Sequence, residues 1–136
     1  MELWDLYDKD RRPLGRTHQR GLPVPPGAYH LAVIVVILNP KGEVLLTRRA
    51  PEKDACPGWW ENTGGSVLAG ETSLEAITRE LREETGLAAR PEEFTLLLRE
   101  DCRTDAHFDI YALTWEGAPE DIRFQAGETD AARWVP

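Results

Sequence analysis

A chain of 136 residues has room for one domain with a sizeable buried core, and a hydrophobic content of 41% excludes a disordered chain. The formal charge of −8 argues against a long nucleic-acid partner, whose phosphates need a basic surface; it suits a protein that gathers divalent cations, or serves solubility alone. Met1–Asp10 is acidic without an apolar signal core, Leu31–Leu38 is too short a run to span a membrane, and Cys56 and Cys102 show neither metal-ligand spacing nor a disulfide framework, so a cytoplasmic protein with no membrane partner is expected.

Taken in order, Glu2–Asp8 and Arg16–Arg20 flank a turn-like Arg12-Pro13, which predicts a short hairpin or an arm over the domain. Leu22–Gly27, with three prolines, should be extended and irregular. His30–Leu38 reads as a strand buried on both faces, Asn39-Pro40-Lys41-Gly42 as a turn, and Glu43–Thr47 as the returning strand of a hairpin. Ala50–Trp60 is a loop, and Glu61–Gly65 a short strand running into a glycine corner. Thr72-Ser73-Leu74-Glu75 is a capping-box start and Gly86 a stop, so the clearest helix lies between them, with Leu74, Ile77 and Leu81 as its apolar stripe. Phe94–Arg99, Phe108–Trp115 and Ala132–Val135 complete the strands. This order predicts an α/β fold: a mixed sheet with helical cover, as a single domain over 1–136, in which 1–27 is the hairpin or arm and 28–136 the core.

On a helical wheel Glu80, Glu83 and Glu84 fall within an arc of roughly 100°, beside the apolar stripe. Read structurally, they are an acidic solvated face. Read functionally, three acids crowded at the margin of the core repel one another unless a cation offsets them, and hard oxygen donors suit Mg²⁺ or Mn²⁺.

The flanking residues favour the second reading. Gly65, then five residues, Glu71, seven residues, and Arg79-Glu80-Leu81-Arg82-Glu83-Glu84-Thr85-Gly86-Leu87 resemble the Nudix box at every fixed position of a 23-residue signature. The similarity extends more loosely from His30 to Val135. It implies the Nudix α/β/α sandwich, with a mixed central sheet and the box as loop-helix-loop, and metal-assisted attack of water on a phosphorus of a small-molecule diphosphate. By that resemblance Glu83 and Glu84 are the principal ligands, Glu80 is a ligand or the group that activates water, and Gly64 offers a backbone carbonyl to the metal. Arg79 orients the carboxylates, and Glu71 either braces the loop or faces the helix dipole. Glu128, six residues before Trp134, is a further ligand or base, with Asp130 or Glu120 able to take its place. Candidate substrates are nucleoside diphosphates linked to another group, or nucleoside triphosphates.

A second resemblance is to the isopentenyl-diphosphate isomerase branch, through His30-Leu31-Ala32, Leu46-Thr47-Arg48-Arg49-Ala50, Pro57-Gly58-Trp59-Trp60-Glu61-Asn62 and the N-terminal segment with His18. Where that branch carries a Cys acid/base followed by Gly and a metal-binding His, this chain reads Asn62-Thr63-Gly64-Gly65-Ser66. Glycine supplies no proton, so hydrolysis is expected over isomerisation. A diphosphate-binding module without turnover is the other rival. Arg48 and Arg49 are phosphate-clamp candidates; on a strand only one can face the cleft, and Arg48 is favoured. His30 neighbours a metal or is simply held by a hydrogen bond, and Trp59, Trp60 and Tyr29 stack on a base or pack at the rim. The chain stops at Trp134-Val135-Pro136, where relatives of the family often continue into a helix; the N-terminal segment or a partner subunit, as in a homodimer, is expected to supply that layer unless the chain is shortened.

Overall fold

The computed structural model describes residues 2–53 and 55–136. The strongest local signals lie around α1 (Ser73–Thr85). Thr72 Oγ1 accepts the Glu75 N–H at 3.1 Å, Glu75 Oε1 accepts the Thr72 N–H at 2.9 Å, and Gly86 closes the helix at φ +75°. Ile77 and Leu81 are fully buried, a contribution of about 2–3 kcal/mol each relative to exposure.

Around this helix run β1 (Leu3–Tyr7), β2 (Pro13–Gln19), β3 (His30–Leu38), β4 (Val44–Arg49), β5 (Trp60–Glu61), β6 (Thr63–Ser66), β7 (Thr95–Arg103), β8 (Ala106–Thr114) and β9 (Thr129–Val135). Strands β1 and β2 form a separate antiparallel hairpin. The other seven form one mixed sheet in the order β5-β4-β3-β8-β7, with β6 beside β3 and β9 beside β4. β3 and β8 run parallel, from His30 beside Ala106 to Leu38 beside Thr114. The expected β3–β4 hairpin is short, pairing only Ile37 with Leu45 and Leu38 with Val44. Beyond it the two strands diverge: β6 takes the first half of β3, and β9 runs along β4. That divergence opens a cleft.

The core lies between α1 and one face of the sheet, where Val33, Val35, Ile37, Leu45, Val67, Ala76, Ile77, Leu81, Tyr111 and Leu113 meet. Of the three layers expected, the described residues form two. Short 3₁₀ turns at Pro91–Glu93 and Pro119–Asp121 are the remaining helical pieces, and Ile34, Val36 and Leu38 on the other face stay half-buried. The N-terminal hairpin packs across the start of β3. Tyr7 and Tyr29 exchange two backbone hydrogen bonds of 2.8 Å, the Ala69 N–H donates to the Leu3 carbonyl, and Trp4 stacks on His30 with ring centroids 4.0 Å apart.

Candidate active site

The cleft has a volume of about 680 Å³ and lies where β3, β6 and α1 meet the loops after β4 and before β9. Glu80, Glu83 and Glu84 line it from the helix, Gly64 and Gly65 from β6, Glu128 from the last loop and Arg49 from the end of β4.

Two glycines permit close approaches at the corner, Gly64 to β3 and Gly65 to an acid. A Cβ on Gly64 would collide with the Val33 carbonyl, and one on Gly65 would lie 2.5 Å from Glu80 Oε1. The missing Gly65 side chain lets the Glu80 carboxylate settle directly on the strand. The Gly64 N–H donates to Glu84 Oε2 at 3.3 Å.

Arg79 organises the acids. Its Nε donates to Glu71 Oε2 at 2.8 Å, Nη1 to Glu80 Oε1 at 2.9 Å and to Glu83 Oε2 at 3.3 Å, and Nη2 to the Ser66 carbonyl at 3.2 Å. Glu71 also accepts the Leu68 N–H at 3.0 Å, so it braces the loop through Arg79. Hydrogen bonding to Glu71 raises the Arg79 pKa further above its already high ordinary value. Burial pushes the Glu80 carboxyl up, although Arg79 opposes it. Glu84 is pushed up to about 8, first by burial and then by the charge of Glu80, with Glu61 and Glu128 adding to the effect.

Among the described residues no three acids close into a ready-made metal cage, because Arg79 draws Glu80 and Glu83 toward itself. The donor set nonetheless fits a hard divalent cation. All donors are carboxylate or backbone oxygens, Glu80 sits in the space a Gly65 Cβ would fill, and Glu84 lies half-buried among acids whose repulsion a cation would offset.

Of the three loop acids proposed as substitutes for one another, Glu128 lines the cleft, where it is ion-paired with Lys53. Asp130 is bound by Arg48 at 2.8 Å, and Glu120 lies away in a 3₁₀ turn. The preference for Arg48 over Arg49 is corrected by the strand. Arg48 points to the opposite face, 5.7 Å over the Trp60 ring, while Arg49 lines the cleft and pairs with Glu61 at 3.1 Å. His30 lines the cleft, stacked on Trp4, with Nδ1 lacking a partner among the described residues; burial pulls its pKa down. Tyr29 packs by His107 at 4.8 Å, and Trp60 lies between Arg48 and Arg133. Both cysteines are free.

Sequence reasoning missed Lys53, Glu61 and Asn62, and the two residues that the hairpin brings to the cleft wall, Glu2 and Arg20, joined at 3.1 Å. Glu61 and Asn62, next to the glycine corner, had the one usable signal. Lys53 stands in a loop whose path follows from Glu128, 75 residues away.

The family profile described as NUDIX domain matches residues 28–136. A Nudix hydrolase of Listeria innocua is 43% identical over 141 residues, which cover 99% of this chain and 80% of its own. An isopentenyl-diphosphate Delta-isomerase of Saccharopolyspora erythraea is 47% identical over 99 residues, covering 72% of this chain and 50% of its own. A crystal structure from Deinococcus radiodurans has the same fold, with a TM-score of 0.82 at 23% identity over 98% of this chain and 83% of that one. The chain belongs to the Nudix domain family and is a Nudix-type pyrophosphohydrolase.

Proposed function

We propose that the enzyme cleaves the phosphoanhydride bond of a nucleoside diphosphate derivative or a nucleoside triphosphate and depends on Mg²⁺ or Mn²⁺. The observation that carries this reading is the half-buried Glu84, held on the Gly64 N–H in a cleft that it shares with Glu61, Glu80, Glu83 and Glu128. Such a concentration of negative charge destabilises the free protein and gains from a divalent cation.

Glu80, Glu83 and Glu84, with the Gly64 carbonyl, would hold the cation. Bound there, it supplies Lewis acidity, neutralising phosphate oxygens and making water easier to deprotonate. Arg79 orients Glu80 and Glu83 through its fork of donors. Arg49, on the cleft face of β4, grips the diphosphate, helped by Lys53 on the neighbouring loop; Arg48 serves the opposite face. Water attacks one phosphorus, the bridging P–O bond breaks toward the leaving phosphate, and the water proton passes to a cleft carboxylate. Glu80, Glu84 and Glu128 are the candidates for that base.

Glu83→Gln tests the assignment. Glu83 is 45% exposed on its side chain, so the variant should fold normally while turnover falls by at least about 100-fold. Undiminished formation of the two cleavage products, nucleoside monophosphate and the released phosphoryl fragment, by a folded Glu83→Gln chain refutes it. The isomerase relative sustains a second reading, against which stands Gly64-Gly65 at the corner where proton transfer needs an acid. Isomerisation leaves the diphosphate intact and consumes no water, so the same assay of cleavage products separates the two.

A further inference from the structure

Trp59 is, at 65%, the most exposed of the large apolar side chains among the described residues. Leaving an indole in water forgoes a substantial gain from burial, yet the backbone beneath it is built with care. Cys56-Pro57-Gly58-Trp59 is a tight turn with Gly58 at φ +80°, closed by the Trp59 N–H donating to the Cys56 carbonyl at 3.2 Å. Proline followed by a left-handed glycine is the composition such a turn requires. The turn runs straight into a glycine bulge opposite Arg49: the Gly58 N–H donates to the Arg49 carbonyl at 2.9 Å, and the Arg49 N–H donates to the Trp59 carbonyl at 2.8 Å.

Register then fixes the side of the sheet. Thr47 lies opposite Glu61 and Arg48 opposite Trp60, so the next pair, Arg49 and Trp59, shares the face of Thr47 and Glu61. Arg49 and Glu61 line the cleft. Trp60 takes the other face, between the guanidinium groups of Arg48 and Arg133. The exposed indole therefore shares the cleft face of the sheet with Arg49, its backbone partner and the guanidinium proposed to grip phosphate.

We infer that Trp59 is the stacking platform for the base of a nucleoside diphosphate, and so the residue that makes the enzyme prefer nucleotides over other diphosphates. This rests on the diphosphate-hydrolase reading of the cleft. The other conceivable occupant of an apolar rim is an isoprenyl chain. Such a chain needs an enclosed apolar pocket, whereas carboxylates, guanidinium groups and amides line this cleft. A base has polar edges that water or those groups can satisfy, and needs only the ring face.

The test compares hydrolysis of ADP-ribose and ATP with that of inorganic pyrophosphate, with Mg²⁺, by the wild-type chain, Trp59→Ala and Trp59→Phe. Trp59→Ala should raise KM for both nucleotides about tenfold, as expected for loss of one base stack, with kcat and the KM for pyrophosphate unchanged; Trp59→Phe should recover most of the loss. As a readout without turnover, ADP should quench tryptophan emission of the Glu83→Gln chain, and the quench should disappear when Trp59→Phe is added. If the KM for pyrophosphate rises in parallel, or no KM moves, the platform is refuted and the hydrolase reading stands. If no diphosphate is turned over but the Trp59-dependent quench persists, the hydrolase reading fails and the platform survives. Absence of both overturns both.

Discussion

Adjacent side chains on a strand leave opposite faces of the sheet, and that alternation separates Arg48 from Arg49. Arg48 is engaged on the far face, at 2.8 Å from Asp130 and over Trp60. Arg49 lies in the cleft, with Nε on the Ala55 carbonyl at 2.8 Å and Nη1 on Glu61. The two chemically identical neighbours should give opposite phenotypes. Arg49→Ala removes the charged fork proposed to hold the diphosphate and should raise KM by about 10- to 100-fold. Arg48→Ala should leave KM within about twofold, because an exposed ion pair contributes little. Initial-rate kinetics on the two purified variants decide between them, and a larger KM effect at Arg48 would mean that the register of β4 has been misassigned.

Elements differ in how much of their information is local. Helix α1 carries its own start and stop, since Thr72 and Glu75 cap each other and Gly86 supplies the left-handed residue that ends it. Thr72→Ala should cost about 1 kcal/mol, a fall in Tm of roughly 3–5 °C, with Thr72→Ser restoring it. Because Thr72 does not line the cleft, kcat should be unchanged; calorimetry and a rate assay check both halves. The same local character made the helix and its acids readable from sequence: carboxylates at helical spacing must share a face whatever surrounds them. Strand partners have no such local record. β8 begins two residues before, and β7 runs four residues beyond, the limits that the local pattern predicts, because those limits are set by pairing with β3 and with each other. Equally unreadable was the departure of β4 from β3 toward β9, which opens the cleft. Lys53 and Glu61 escaped notice for this reason, each being brought to the site by a partner distant in sequence.

At the scale of the molecule, the N-terminal hairpin lies outside the matched family region of residues 28–136 yet forms one wall of the cleft through Glu2 and Arg20. A lone two-stranded hairpin is marginal in water, so its order depends on what fastens it. One fastening is Arg11, at φ +62° in the turn between β1 and β2. Its guanidinium reaches across to Asp109 at 2.6 Å, Asp101 at 2.5 Å and the Phe108 carbonyl at 2.9 Å. Nearby, the buried His107 Nε2 donates to the Asp8 carbonyl at 2.8 Å. Arg11→Ala would leave Asp109, only 10% exposed on its side chain, without its closest cation, at a cost of about 2 kcal/mol. The hydrogen bond from Arg11 also lowers the Asp101 pKa below the usual carboxylate range. A carboxyl depressed in the folded state stabilises the fold fully above its unfolded pKa, near 4, and that contribution is lost as pH falls through the lower folded value. The clasp should therefore hold at neutral pH and loosen in acid below about pH 4. Amide exchange of β1 and β2, compared between pH 6 and pH 3, should show the hairpin of the wild-type chain losing protection ahead of α1, while Arg11→Ala starts from the loosened state at both pH values. Equal protection of the hairpin in the two proteins at pH 6 would show that the Tyr7–Tyr29 and Trp4–His30 contacts fasten it without Arg11.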